Sequence, residues 1–176
     1  LTVAPIATST LVFTQTWKIY ENREHGFRIK YPPHFTYFVI NDKPTSPEIL
    51  YDVIFYDGAK YQPGVSREFP LIVLNVLANP ERLSMDAWAK AHVYTLGTPL
   101  PYSLQFESYQ IVRTLNIGGI QATRLNAVSA ANGFRGHSVL IPLPNEAKII
   151  GLFYFIDPPT IEPLFEVMAS TLERVR

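Results

Sequence analysis

The sequence predicts an α+β domain built on an antiparallel sheet. Three observations carry that reading: alternating apolar and polar residues recur in short runs joined by turn chemistry, two segments switch to helical periodicity, and nothing divides the chain. Of 176 residues, 47% are hydrophobic and 13% aromatic, while only 17% are charged. That composition supplies enough apolar surface to offset the ordering entropy that leaves charged, aromatic-poor chains disordered. No internal repeat, low-complexity tract or linker interrupts it. Residues 1–14 are small, apolar and Thr-rich and read as a tether, with one domain over 15–176.

Trp17 to Tyr20 alternates large apolar with polar side chains and predicts a strand. Asn22 to Gly26 supplies a turn with Gly26 at positive φ, and Phe27 to Tyr31 alternates again, placing Phe27, Ile29 and Tyr31 on one face. Pro32 and Pro33 end that strand because proline cannot donate to a ladder. A short third strand is expected over Tyr37 to Ile40, then a loop over Asn41 to Glu48. Leu50 to Tyr56 predicts a strand closed by Asp57 and Gly58, followed by a Pro-containing loop over Tyr61 to Pro70. Leu71 to Leu77 is almost wholly apolar, which predicts a central strand covered on both faces.

The period then changes. Ser84 can cap a helix, Asp86 suits its first turn, and Met85, Trp88 and His92 recur at spacings of three and four. Gly97 is the expected stop, with Pro99 and Pro101 beyond. Tyr109 to Asn116 and Ile120 to Val128 are strands joined by Gly118-Gly119, a strong hairpin signal. Arg135 to Leu143 and Lys148 to Ile156 make a second hairpin with Pro144-Asn145 at its tip. After Asp157 to Thr160, the residues Ile161, Leu164, Phe165, Met168, Leu172 and Val175 form one apolar stripe, which predicts a helix of about four turns. Pro163 falls in its first turn, where proline is tolerated. The densest basic spot, Arg174 and Arg176, reads as helix C-terminal chemistry.

Fifteen Lys and Arg balance fifteen Asp and Glu, so no bulk charge draws the chain to nucleic acid or to an anionic membrane surface. Without cysteine there are no disulfides, thiolate metal sites or cysteine nucleophile. The longest apolar run, Ile149 to Ile156, has the length of a buried strand and not of a membrane span. The sequence begins at Leu1, and its opening reads equally as a tether behind a cleaved signal or as a truncation.

The motifs that carry chemistry are sparse. His25 and His34 flank one strand, ~20–30 Å apart at about 3.3 Å per residue, too far to share an ion. His92 shares its helix stripe with Trp88 and reads as a core histidine. His137 alternates with Arg135 and Val139, so Arg135 and His137 can border one site. Ser138 adjoins His137, but neighbouring strand residues point to opposite faces and cannot form a nucleophile–base pair. Glu21 and Glu24 sit in a turn, Asp52 lies on a strand, and Asp57 and Asp157 close strands, so turn and capping roles account for them more simply than paired-carboxylate chemistry. No nucleotide-binding glycine motif is present. No cofactor and no metal are expected. The aromatics remain: Tyr51, Phe55, Tyr56 and Tyr61 cluster around one strand and loop, with Tyr37 and Phe38 near in sequence. They read either as core with ordinary surface tyrosines or as a docking patch.

Trp17, Tyr20, Asn22, Gly26, Phe27, Ile29, Tyr31 and Pro32 stand at spacings that resemble the N-terminal signature of the PsbP-like family, common among small exported bacterial proteins. Leu83 to Trp88 resembles that family's first helix start, Ile117 to Arg124 its Gly-containing hairpin, and Ser170-Thr171-Leu172 the end of its last helix. The order of the four elements, running from Trp17 to Leu172, carries the resemblance. Pro163 inside the last helix and Leu172 in place of the usual Phe depart from it. The resemblance implies an α/β/α sandwich with a central antiparallel sheet and two main helices. It also implies docking on larger partners in place of a reaction, and none of the family's metal or docking residues matches a position here.

The expected function is therefore a non-enzymatic, extracytoplasmic accessory domain that docks on a protein partner or a membrane-associated complex. The expected contact residues are Tyr51, Tyr56, Tyr61, Arg135 and His137, with the loops Asn41 to Glu48 and Tyr61 to Pro70. Two alternatives stay open: a small-molecule binder with a pocket between sheet and helix, and a hydrolase using His137 or Asp52.

Overall fold

The first hairpin forms where the alternation and the turn chemistry agree. In the computed structural model, which describes residues 16–41, 48–59, 71–92, 108–128, 135–143, 147–155 and 161–175, β1 (Lys18–Asn22) pairs antiparallel with β2 (Phe27–Tyr31). Gly26 sits at φ 72°, and Asn22 Oδ1 accepts the His25 N–H at 3.0 Å to close the turn. Past Pro32 and Pro33, the Phe35 N–H donates to the Pro32 carbonyl at 3.0 Å. That turn starts β3 (Phe35–Asn41) two residues before the expected Tyr37.

β3 does not continue the first hairpin. It pairs with β4 (Ile49–Asp57), which pairs with β5 (Leu71–Ala78). A second antiparallel run, β6 (Ser108–Ile117), β7 (Ile120–Val128), β8 (Arg135–Leu143) and β9 (Lys148–Phe155), returns to dock β9 against β5. The result is a seven-stranded sheet ordered β3-β4-β5-β9-β8-β7-β6. Ile72 to Leu77 of β5 are all buried, as expected of a central strand. Gly118 and Gly119 make the β6–β7 turn at φ 57° and 82°. That pair of left-handed residues matches the strand twist and fixes the register through Ile117 opposite Ile120.

Among the described residues, two helices and a small sheet cover the large one. Helix α1 (Met85–His92) opens on Ser84, whose Oγ accepts the Ala87 N–H at 3.3 Å. Its Trp88 and Ala89 pack on Ile54, Val73, Leu125, Leu140 and Phe153 of one sheet face, and the indole N–H donates to the Ala78 carbonyl at 3.0 Å. His92 is half-buried and stacks on Trp88 at 4.7 Å. Residues 93–97, where that helix was expected to stop, lie outside the described residues, as do Pro144 and Asn145.

Helix α2 (Ile161–Ser170) lies on the opposite face with Phe165 and Met168 buried against Val139, Leu152 and Tyr154. Beside it, β1 and β2 lay Tyr20 and Tyr31 on Phe55, with ring centroids 5.6 and 5.2 Å apart. The α/β/α sandwich is thus present, with a three-stranded sheet sharing the α2 layer.

The stripe expected to carry α2 to Val175 ends earlier. After Ser170 the chain turns extended and forms β10 (Glu173–Arg174) against β2. Thr171 makes the break: its Oγ1 accepts the Lys30 N–H at 3.0 Å and donates to the Met168 carbonyl at 2.7 Å. The open edge of β2 offers the backbone a ladder, and the Val175 N–H reaches the Gly26 carbonyl at 3.0 Å. Leu172 keeps its buried place, while Arg174 belongs to an exposed strand and not to a helix end.

Candidate functional site: a charged cleft beside the edge strand

The β6–β7 register carries a consequence for charge. From the Gly118-Gly119 turn the pairing runs through Leu115 opposite Ala122 to Arg113 opposite Arg124. Like charges directly across a ladder are unfavourable unless compensated. A β-bulge between Ile111 and Arg113 then adds one residue to β6, and both Val112 and Arg113 line a cleft against α2. Compensation comes from Glu162 and Glu166, four residues apart and so neighbours on one helical face. Arg113 forms an ion pair with Glu166, and Arg124 Nη2 donates to Glu162 Oε1 at 3.1 Å.

The cleft holds about 520 Å³ between β6, β7 and the first turns of α2, lined by Val112, Arg113, Arg124, Asn126, Glu162 and Glu166 with Pro163. Arg124 is 2% exposed. Its guanidinium lies over Phe165 and Tyr154 at 5.2 and 5.7 Å, a cation–π arrangement. His137 stacks flat on Tyr154 at 4.6 Å, and its Nδ1 lies 2.8 Å from Asn126 Oδ1 and 3.4 Å from Arg124 Nη2. Burial pushes the Tyr154 hydroxyl above its ordinary pKa, with Arg124 pulling the other way.

Arg124 distributes its contacts unevenly. Nη2 faces Glu162 and the Tyr154 hydroxyl at 3.5 Å, whereas the buried Nη1 has no hydrogen-bond partner among the described residues. The cleft pairs charges across its walls: both carboxylates are engaged by arginines, and among the described residues its lining includes no serine, threonine or lysine.

Of the described residues expected to make contacts, His137 joins this site through Asn126 and Tyr154. Tyr51 is 5% exposed, with its hydroxyl against that of Tyr20 and its ring 5.0 Å from His25. It is a core residue and offers a partner no side-chain surface. Tyr56 is half-buried on the opposite face of the sheet, 5.7 Å from Phe38. Strand alternation therefore splits the aromatic run between two faces. Tyr61 and the Arg135 side chain lie outside the described residues, although the Arg135 backbone pairs with Val128.

Asp52 corrects a second expectation. It has no turn role: it is fully buried in β4, and Asn75 Nδ2 of β5 donates to its carboxylate. Asp57 does serve a turn, accepting the Ala59 N–H at 3.0 Å. Ser138 is buried and, as expected from strand alternation, faces away from His137.

The sequence reading placed the ionisable groups apart; the cleft gathers four of them. The readable signals were the hairpin register, which sets Arg113 opposite Arg124, and the spacing of Glu162 and Glu166. Among the described residues no three His, Cys, Asp or Glu side chains converge as metal ligands, and no helix is long and apolar enough to cross a membrane.

No protein-family model and no curated protein matches the sequence. Solved structures do match in shape. The solution structure of cyanobacterial PsbP (CyanoP) from Synechocystis sp. PCC 6803 superposes with a TM-score of 0.55 at 12% identity, over 99% of this chain and 98% of that one. The Ran-binding protein Mog1p of Saccharomyces cerevisiae superposes with a TM-score of 0.53 at 13% identity, over 91% of this chain and 96% of its own. At such identities the likeness concerns the fold, and on that ground the chain has the PsbP-like α+β fold.

Proposed function

We propose that this chain is a non-enzymatic docking domain that engages a protein partner, free or within a membrane-associated complex, through the charged cleft and the β6 strand beside it. The observation that carries the reading is the junction of the two: Val112, half exposed at 50%, stands on the last strand of the sheet and lines a cleft holding two arginines and two glutamates. Apolar contact area rimmed by charges is the composition of a protein interface. The shared fold with a Ran-binding protein supports the same direction by analogy. The resemblance of Trp17 to Pro32 to exported proteins supports an extracytoplasmic site of action.

A small ligand between sheet and helix is the second reading, because about 520 Å³ is a ligand-sized volume. Such pockets are mostly apolar, and this lining is mostly charged. The hydrolase reading gains no support. Asp52 lies on the α1 face and His137 on the α2 face, so the sheet separates them.

Photo-crosslinking in the cells that make the protein tests the docking reading. A photoreactive residue at Val112 should give one discrete protein adduct that the same residue at the exposed Ile19 of β1 does not give, and Arg113→Glu should weaken it. Identical adducts from both positions, or none from Val112, would refute the surface. Fractionation of the natural full-length protein tests the compartment.

A further inference from the structure

Resting on that docking reading, we propose that the cleft recognises a carboxylate: an acidic side chain on an extended partner segment that adds to β6 and takes Arg124 from Glu162. Arg124 is the starting point. Buried donors are almost always satisfied, yet Nη1 of this 2%-exposed guanidinium has no partner among the described residues. A guanidinium is built to hold a carboxylate with two parallel N–H donors. Glu162 uses one oxygen on one nitrogen and leaves that capacity unfilled.

Glu162 can yield its place. Its side chain is 50% exposed, and it comes from the first turn of α2, so it swings into solvent without disturbing the buried Phe165 beside it. An incoming carboxylate replaces an outgoing one, and the charge count of the cleft is unchanged. Arg113, held by Glu166 at the rim, keeps a second cation beside the entering acid.

The source is a strand and not a free anion because two residues of the cleft lining, Val112 and Arg113, belong to an edge strand. β6 is the last strand of the seven-stranded order, and among the described residues nothing pairs with its outer edge. An added strand hydrogen-bonds to such an edge and sends every second side chain over one sheet face. The bulge between Ile111 and Arg113 bends β6 there, and Val112 and Arg113 beside it line the cleft.

The test uses the whole chain and two blocked seven-residue peptides of alternating threonine and valine, one with a central glutamate and one with a central glutamine. Binding is followed by nuclear magnetic resonance of the β6 amides and the Arg124 side chain. The glutamate peptide should bind about tenfold more tightly than its glutamine twin, a difference of about 1.4 kcal/mol. Glu162→Gln, at a half-exposed site, should tighten the glutamate peptide several-fold and leave the glutamine peptide unmoved. Arg124→Lys should abolish the preference; Glu162→Gln keeps the test valid where that buried variant fails to fold.

Equal binding of both peptides would overturn the carboxylate inference and leave the docking reading standing. Free glutarate that shifts the same resonances with equal affinity would assign the site to small anions and overturn the strand. No response from either peptide overturns the inference, and the Val112 crosslink then decides the docking reading separately.

Discussion

Replacing Gly151 by alanine places a methyl group where the packed structure has no room for one. Gly151 lies in β9 between Asn75 of β5 and Leu140 of β8. A Cβ there would stand 2.6 and 2.7 Å from two ring carbons of Phe153 and 3.1 Å from Leu77 Cδ1. Carbon atoms pack at about 3.5–4.0 Å, so the ring would have to retreat by about 1 Å. Phe153 is 2% exposed and Leu77 1%, so the ring retreats only by displacing other core atoms. Overpacking of this kind costs about 1–3 kcal/mol, and the reduced freedom of the unfolded alanine chain returns about 0.4–1 kcal/mol. The expected net loss is about 1–2 kcal/mol. With a urea m-value of about 2 kcal/mol/M, the unfolding midpoint should fall by about 0.5–1 M. Phe153→Leu in the Gly151→Ala background should recover part of that loss, giving a coupling term of at least about 0.5 kcal/mol in a double-mutant cycle. A Gly151→Ala variant as stable as the parent, or strictly additive effects in the cycle, would refute the packing argument.

Two further perturbations separate backbone from side-chain effects. Gly119 stands at φ 82° with open space around its missing Cβ, so Gly119→Ala isolates the left-handed backbone and should cost about 1–2 kcal/mol, read as a lower thermal midpoint with an unchanged fold by circular dichroism. Burial pushes the hydroxyls of Tyr20, Tyr31 and Tyr154 above the ordinary value of 10.0. The folded state therefore holds protons that the unfolded chain releases, and stability is full below about pH 10 and declines as pH rises beyond it. Urea titrations from about pH 8 to 11 should show this alkaline decline, and Tyr20→Phe should flatten it.

Much of this fold was legible because the deciding physics is local. Gly26, Gly118 and Gly119 marked turns that only a left-handed residue relieves, and alternation along the hairpins named the buried faces. Ser84 marked a helix start by the same kind of short-range bonding. What alternation does not carry is the identity of a strand's neighbour. Phe27 to Tyr31 and Phe35 to Asn41 follow one another closely yet enter different sheets, a choice settled by the aromatic contacts of Tyr20 and Tyr31 with Phe55.

The end of α2 was misread for a related reason. Leu172 fits a helical stripe, and the competing attraction, the open edge of β2, lies far away in sequence. Tyr51 and Tyr56 do not share one surface, because they lie on opposite sides of their strand, one deep in the core. The cleft itself was half visible. A two-residue turn at Gly118-Gly119 sets Arg113 across from Arg124, and a pair of facing arginines demands carboxylates nearby. Which carboxylates answer depends on how α2 lies across the sheet.

The pairing of β10 with β2 also bears on the order in which the molecule is made. Arg28 and its ion-pair partner Glu173 are separated by 145 positions, so the small sheet closes one of the longest loops the chain contains. Non-local pairing of this kind slows folding. During synthesis the β1–β2 hairpin exists long before the segment that completes it, with Phe27 and Ile29 lacking their α2 cover. The small sheet is therefore completed only once the last residues of the domain have emerged, and its first two strands wait for a third that is made at the far end of the chain.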